Sequence, residues 1–100
     1  MSDLCFLWHM HQPCYHDAGT GEMTLPWVRL HATKAYLDMA EALSRAPAGI
    51  QVTVNFVPVL LDQLDRYAAG TVKDSFLELS RKPAEKLSPD ETRFVLRYFF

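Results

Sequence analysis

Two strand-like segments flank a single long helical pattern, and this order limits the fold more than any other feature of the chain. The first, residues 4–10 (LCFLWHM), is almost continuously apolar, as in a strand covered on both faces. The second, residues 50–56 (IQVTVNF), alternates, with branched and aromatic side chains on one side and Gln51, Thr53 and Asn55 on the other. Between them, Leu25-Pro26-Trp27 opens a helix, because a proline in the first turn lacks only an N–H that would have no intrahelical partner there. The helix is expected to run to about Leu43. Ala32, Tyr36, Met39, Ala40 and Leu43 form its inner stripe, Lys34, Asp38 and Glu41 lie off it, and Arg45-Ala46-Pro47-Ala48-Gly49 ends it. Strand, crossover helix and strand imply an α/β fold built on a right-handed βαβ unit with parallel strands.

More helices follow. Pro58 opens one with Leu60, Leu61, Leu64, Tyr67 and Ala68 on its buried face and Gly70 as its stop. Residues 71–74 cap a short helix carrying Phe76, Leu77 and Leu79. Ser88-Pro89-Asp90-Glu91 reads as a capping box before Phe94, Val95, Tyr98 and Phe99. Two parallel strands are too few to cover these helices, and a closed (β/α) barrel takes about 250 residues. The chain stops at Arg97-Tyr98-Phe99-Phe100 without a helix cap or polar tail. The expectation is therefore that residues 1–100 are the N-terminal piece of a longer polypeptide and no complete domain. Alone they should be poorly soluble or partly molten.

Charge narrows the partners. Ten basic and twelve acidic side chains give a net charge of −2, which offers no footprint for nucleic acid or an anionic membrane. The N-terminus lacks the basic region and long apolar core of a signal peptide, and no segment approaches the roughly 20 apolar residues of a spanning helix. A cytoplasmic location is expected. Cys5, inside an apolar run, and Cys14 are read as free thiols. The oligomeric state is not indicated.

The first strand ends in Trp8-His9-Met10-His11-Gln12-Pro13. His9 and His11, two residues apart, leave the same face of the strand at its C-terminal end, where parallel α/β proteins bind ligands. Their readings are ligand binding or catalytic support, packing, or zinc ligation. Zinc would need a third ligand from His16, Asp17 or His31, none of which stands at a familiar spacing. Asn55, ending the polar face of the second strand, either bonds into the same crevice or to its own turn. Trp27 and Arg29 offer a stacking face and a donor beside the polar loop of residues 12–24, or Trp27 packs at the helix start. Asp62, Asp65, Asp74, Glu78, Asp90 and Glu91 read as solvated helix faces or caps, not as a paired acid and nucleophile. Phosphate-loop, nucleophile-elbow and Cys–His signatures are missing as well. No catalytic residue, metal or cofactor is assigned.

WHMHQP after the opening strand resembles the first sequence region of glycoside hydrolase family 57, the α-amylase, 4-α-glucanotransferase and branching-enzyme family. The segments 25–34 (LPWVRLHATK), 55–58 (NFVP) and 60–64 (LLDQL), with Tyr67, follow in an order similar to the family's N-terminal region. Cys14 departs from it, standing where close relatives are expected to carry an aromatic residue. The resemblance implies an incomplete (β/α)7 barrel followed by a helical region. It also implies hydrolysis or transfer of α-glucans with retention of configuration. The glutamate nucleophile and aspartate acid/base, roughly 5 Å apart in such chemistry, would lie beyond Phe100, so this segment alone would be inactive. What it would supply is a sugar-binding wall, with His11 nearest the cleavage point, His9 beside it, and Gln12, Asn55 and Trp27 completing it. The His-x-His pair is distantly similar to strand-end zinc ligands of α-mannosidases and polysaccharide deacetylases, which gives a zinc-dependent carbohydrate hydrolase or deacetylase as the alternative. A non-catalytic carbohydrate-binding protein of the same fold is the third reading.

Overall fold

A computed structural model describes residues 3–100. The strands are β1 (Leu7–Met10) and β2 (Thr53–Phe56), paired in parallel with Leu7 opposite Thr53, Trp8 opposite Val54, His9 opposite Asn55 and Met10 opposite Phe56. Both are shorter than the expected runs 4–10 and 50–56. The ladder starts where Thr53 donates to the Phe6 carbonyl (3.0 Å) and closes where Val57 donates to Met10 (3.2 Å). Just upstream of β2 the backbone is still turning, with Gly49 at φ +99° and Ile50 donating to Pro47. The expectation of a first strand covered on both faces is also corrected: Met10 is buried and Trp8 half-buried, but Leu7 is exposed. Cys5 lies before the strand and is an exposed thiol, as is Cys14.

The crossover is helical from residue 27 to 44, in three stretches: α1 (Trp27–His31), a π-helical turn (Ala32–Tyr36) and α2 (Leu37–Ser44). Pro26 stands just before the helix, as its N-cap residue. The π turn rotates the residues after it relative to those before it. Ala32, Tyr36, Met39 and Leu43 stay on the half-buried side as expected, whereas Ala40 is exposed.

Next come α3 (Pro58–Ala68), α4 (Ser75–Arg81), a 3₁₀ turn (Ala84–Lys86) and α5 (Pro89–Tyr98). The inward stripe of α3 is Leu60, Gln63, Leu64 and Tyr67, an i, i+3, i+4, i+7 set; the expected Leu61 and Ala68 fall outside it and are exposed. Gly70, at φ +68°, ends α3 by letting its own N–H reach Tyr67 and that of Thr71 reach Arg66, a left-handed turn that side chains disfavour. The capping box at α5 forms as expected: Glu91 N–H donates to Ser88 Oγ and Ser88 N–H to the Glu91 carboxylate, which Lys82 Nζ also grips at 2.7 and 2.8 Å. Phe76 of α4 meets Phe94 edge-on and stacks on Phe99.

The core is small. Met10, Val28 and Leu60 are buried where β1, α1 and α3 meet, with Trp8, Tyr15, Tyr36, Val54 and Tyr67 among the side chains packed around them. The molecule measures 64 × 29 × 23 Å, with a radius of gyration of 17.8 Å against about 13 Å for a compact chain of this length. Its surface retains Leu4, Leu7, Leu37, Ile50 and Leu96, each more than half exposed. Among the described residues no helix is long and apolar enough to cross a membrane.

Candidate functional site

The strand register builds the site. Because His9 lies opposite Asn55, their side chains leave adjacent strands side by side, and His9 Nδ1 bonds Asn55 Oδ1 at 2.7 Å. The carbonyl oxygen can only accept, so Nδ1 carries the hydrogen. This orients the ring and leaves both amide hydrogens of Asn55 available. His11, one pleat further on, stacks on His9 with ring centroids 5.9 Å apart and planes 17° from parallel. Both imidazoles and Asn55 are exposed. Packing among aliphatic neighbours is therefore not what the pair does, and three sequence-identified residues share one surface at the C-terminal ends of β1 and β2.

Gln12 is held differently. Its Nε2 donates to the Tyr36 hydroxyl (3.3 Å) and its Oε1 accepts from the Tyr15 hydroxyl (3.4 Å). The loop beyond it is fastened from beneath by Gln63, a fully buried amide of α3. Tyr15 N–H donates to Gln63 Oε1 at 2.7 Å, while Gln63 Nε2 donates to the carbonyls of Pro13 (2.9 Å) and Val59 (3.0 Å). Further along, Asp17 Oδ1 accepts from Gly19 and Thr20 N–H and closes a tight turn. Those two donors hold the Asp17 carboxyl below its ordinary value.

Trp27 lies elsewhere. Its ring is tilted against His31 (6.3 Å), which in turn stacks on Tyr36 (6.0 Å), so an aromatic row connects it to Gln12 only through Tyr36. Trp27 lines a mainly apolar cleft of about 480 Å³ with Pro26, Leu30, Phe76, Tyr98 and Phe99. The structure does not bring it together with the histidine pair.

Arg29 is not a free donor beside the loop, and Asp74, which caps α4 as expected, is buried and not solvated. Arg29 Nε donates to Asp74 Oδ2 at 2.8 Å, the carboxylate side chain being only 2% exposed. The Tyr67 hydroxyl donates to the same oxygen (2.9 Å), and Leu77 N–H donates to Oδ1 (2.9 Å), so Asp74 both caps α4 and joins it to α1 and α3. Burial works against ionisation of Asp74, but Arg29, Leu77 N–H and Tyr67 outweigh it, and its carboxyl lies below the ordinary carboxylate value. Burial, then the bond to Asp74, pushes the Tyr67 phenol well above its ordinary range.

These fixed ionisations limit the chemistry. Asp17, Asp62, Asp74 and Glu91 are all held as carboxylates by local donors, the opposite of what a general acid requires. Among the described residues no three His, Cys, Asp or Glu side chains form a group that could hold a metal ion. What the site offers is directional hydrogen bonding and flat ring faces, suited to a polyhydroxylated ligand. Asp74 was read as a cap and is one, but its buried pairing with Arg29 and the buried role of Gln63 were missed from sequence. The signal for Gln63 was there, one polar residue in the apolar stripe of α3; for Asp74, no spacing links it to Arg29.

A parallel strand–helix–strand unit with polar side chains at its C-terminal strand ends belongs to the α/β class whose ligands bind at that edge. Residues 5–96 match the family model of glycosyl hydrolase family 57, and the chain belongs to that family. Comparisons with curated proteins and with solved structures returned no match. Membership places the chain in carbohydrate metabolism, within glycoside hydrolysis or glucan transfer, with a carbohydrate as substrate.

Proposed function

We propose that the chain is the N-terminal part of an incomplete (β/α)7 barrel in a retaining glycoside hydrolase or glucanotransferase acting on α-glucans. It supplies part of the wall that holds the sugar. The observation that carries this reading is the exposed His9–His11 stack joined to Asn55 at the ends of two adjacent parallel strands. In retaining chemistry the two reacting carboxyls flank the scissile bond, and neighbouring neutral groups fix the sugar hydroxyls between them. His11 and His9 contact the sugar nearest the cleaved bond, while Gln12 and Asn55 set the wall behind them. Trp27 serves a more distant sugar unit along the aromatic row. The exposed apolar side chains of the sheet and helices support further barrel elements packing against this segment.

The test is His11→Ala in the full-length protein. A fall in kcat/KM of ten-fold or more on an α-glucan, on the order of 1.4 kcal/mol in transition-state binding, is expected. Unchanged kinetics would remove His11 from the site. Activity lost to chelators and restored by stoichiometric zinc would favour the zinc-dependent hydrolase or deacetylase instead. Carbohydrate binding without turnover would favour the non-catalytic reading.

A further inference from the structure

We propose that Gln63 is a positioning residue for the strand-end site: its buried amide, bonded at once to Pro13 and Tyr15, fixes the path of the loop that follows His11 and Gln12. The inference rests on the reading of His11 as a sugar contact. Gln63 sits on the stripe of α3 otherwise made of Leu60, Leu64 and Tyr67 and has no exposed surface. A leucine would fill that position without the cost of desolvating an amide. The amide is fully used instead: one hydrogen goes to Val59 on its own helix, while the other goes to the Pro13 carbonyl and the oxygen accepts Tyr15 N–H. Toward residues 13–15 it does what a peptide of a neighbouring strand would do, offering a donor and an acceptor side by side. The ladder between β1 and β2 has ended by then, Val57 to Met10 being its last bond. Gln63 thus takes over guidance of the backbone where the sheet stops.

The guidance reaches the site through two further bonds. Tyr15, fixed at its N–H by Gln63, donates its hydroxyl to Gln12, and Gln12 donates to Tyr36 on the crossover helix. Residues 12–15 are in this way tied to α3 on one side and to the π turn on the other, with His11 at the start of the tied stretch. Displacement of a substrate contact by about 1 Å costs on the order of 100-fold in rate.

The experiment compares three variants of the full-length protein on an α-glucan. Gln63→Leu keeps the packing and removes all three bonds; kcat/KM is expected to fall by about 10- to 100-fold. Gln63→Glu is more diagnostic. As a buried carboxylate it would face the Pro13 and Val59 carbonyls with no hydrogen to give, whereas a protonated carboxyl can donate to one and still accept Tyr15 N–H. Its kcat/KM relative to the parent should therefore climb several-fold as the pH is lowered by about two units, measured at a temperature where urea unfolding shows the variant fully folded at both pH values, so that recovery of the fold itself does not contribute. Tyr15→Phe, which leaves the buried amide intact, should lower kcat/KM about three-fold, in line with loss of one modest hydrogen bond, with only a small fall in melting temperature. His11→Ala is run alongside. If it is impaired while the Gln63 and Tyr15 variants keep parental kinetics, or the Gln63→Glu ratio is flat with pH, the positioning role is overturned and the sugar-site reading stands. If His11→Ala is itself unimpaired, that reading fails and the positioning role falls with it.

Discussion

Removing the carboxylate of Asp74 tests how α4 is attached to α1 and α3. Asp74 is 3% exposed and satisfies three donors from three elements: Arg29 Nε, the Tyr67 hydroxyl and Leu77 N–H. Asp74→Ala loses an N-cap, typically about 1 kcal/mol, and leaves a guanidinium without its partner, which costs about 3–5 kcal/mol for a fully buried pair. The Arg29 side chain is 20% exposed, so water can partly replace the carboxylate, and a total of about 3 kcal/mol is expected. Asp74→Asn keeps an acceptor for the cap but not the charge and should cost about 2 kcal/mol. A double-mutant cycle with Arg29→Met should return a coupling of about 2 kcal/mol, since the methionine leaves no stranded charge. The pH dependence has a definite sign. Burial raises and the three donors more strongly lower the Asp74 pKa, so its folded value lies below the unfolded one of about 3.9. The stabilisation is complete above that value and is lost as pH falls through the folded pKa. For Tyr67 the folded value is raised, so its contribution is present below about pH 10 and disappears as pH rises further. Urea unfolding of the full-length parent and variants across this range is the assay. An Asp74→Ala protein within about 0.5 kcal/mol of the parent, or one with the same acid limb, would refute the argument.

Three other outcomes follow from the geometry. Asn55→Ala removes the hydrogen bond that orients the His9 ring and should lower kcat/KM by about three- to ten-fold, from a net hydrogen bond of about 0.5–1.5 kcal/mol, in steady-state assays on an α-glucan. Gly70→Ala places a Cβ at φ +68°, with nothing nearby to clash, so the cost is purely conformational, about 1 kcal/mol, read as a lower urea midpoint with an unchanged slope. The segment 1–100 expressed alone should melt broadly, without a cooperative transition in calorimetry, because among the described residues few apolar side chains are buried, Met10, Met23, Pro26, Val28 and Leu60; a sharp endotherm would contradict that.

Local chemistry was legible in the sequence wherever one element settles the matter by itself. The Ser88–Glu91 box, the stop at Gly70 and the parallel pairing of the two runs depend on caps, backbone freedom and crossover length, and each appears as expected. Strand length was not legible. A run such as 4–10 states how apolar a strand could be, but the number of paired residues depends on the neighbour, and here β2 offers four partners. The π turn left no mark in the spacing either, because Ala32, Tyr36 and Met39 suit a regular helix equally well.

The site shows the same division. His9 and His11 share a face by the period of the strand, and Asn55 joins them only because the register sets it opposite His9; a shift of one residue would turn Asn55 to the other side of the sheet. The pairing could be anticipated from the two alternation patterns, the register could not. Contacts that join distant elements stayed hidden for a related reason. Asp74 stands before a short helix and reads as an ordinary cap until Arg29 and Tyr67 converge on it, and Gln63 sits on an apolar stripe where its amide finds a use only when the loop of residues 13–15 crosses it. In both cases a polar side chain occupies a position where packing alone favours an apolar one, and burial of such a group is tolerated only when every hydrogen bond is made. Among the described residues no buried side-chain polar atom lacks a partner. Gln63 therefore specifies geometry more than it adds stability, fixing the loop that follows the histidines, whereas Asp74 does both in joining α4 to α1 and α3.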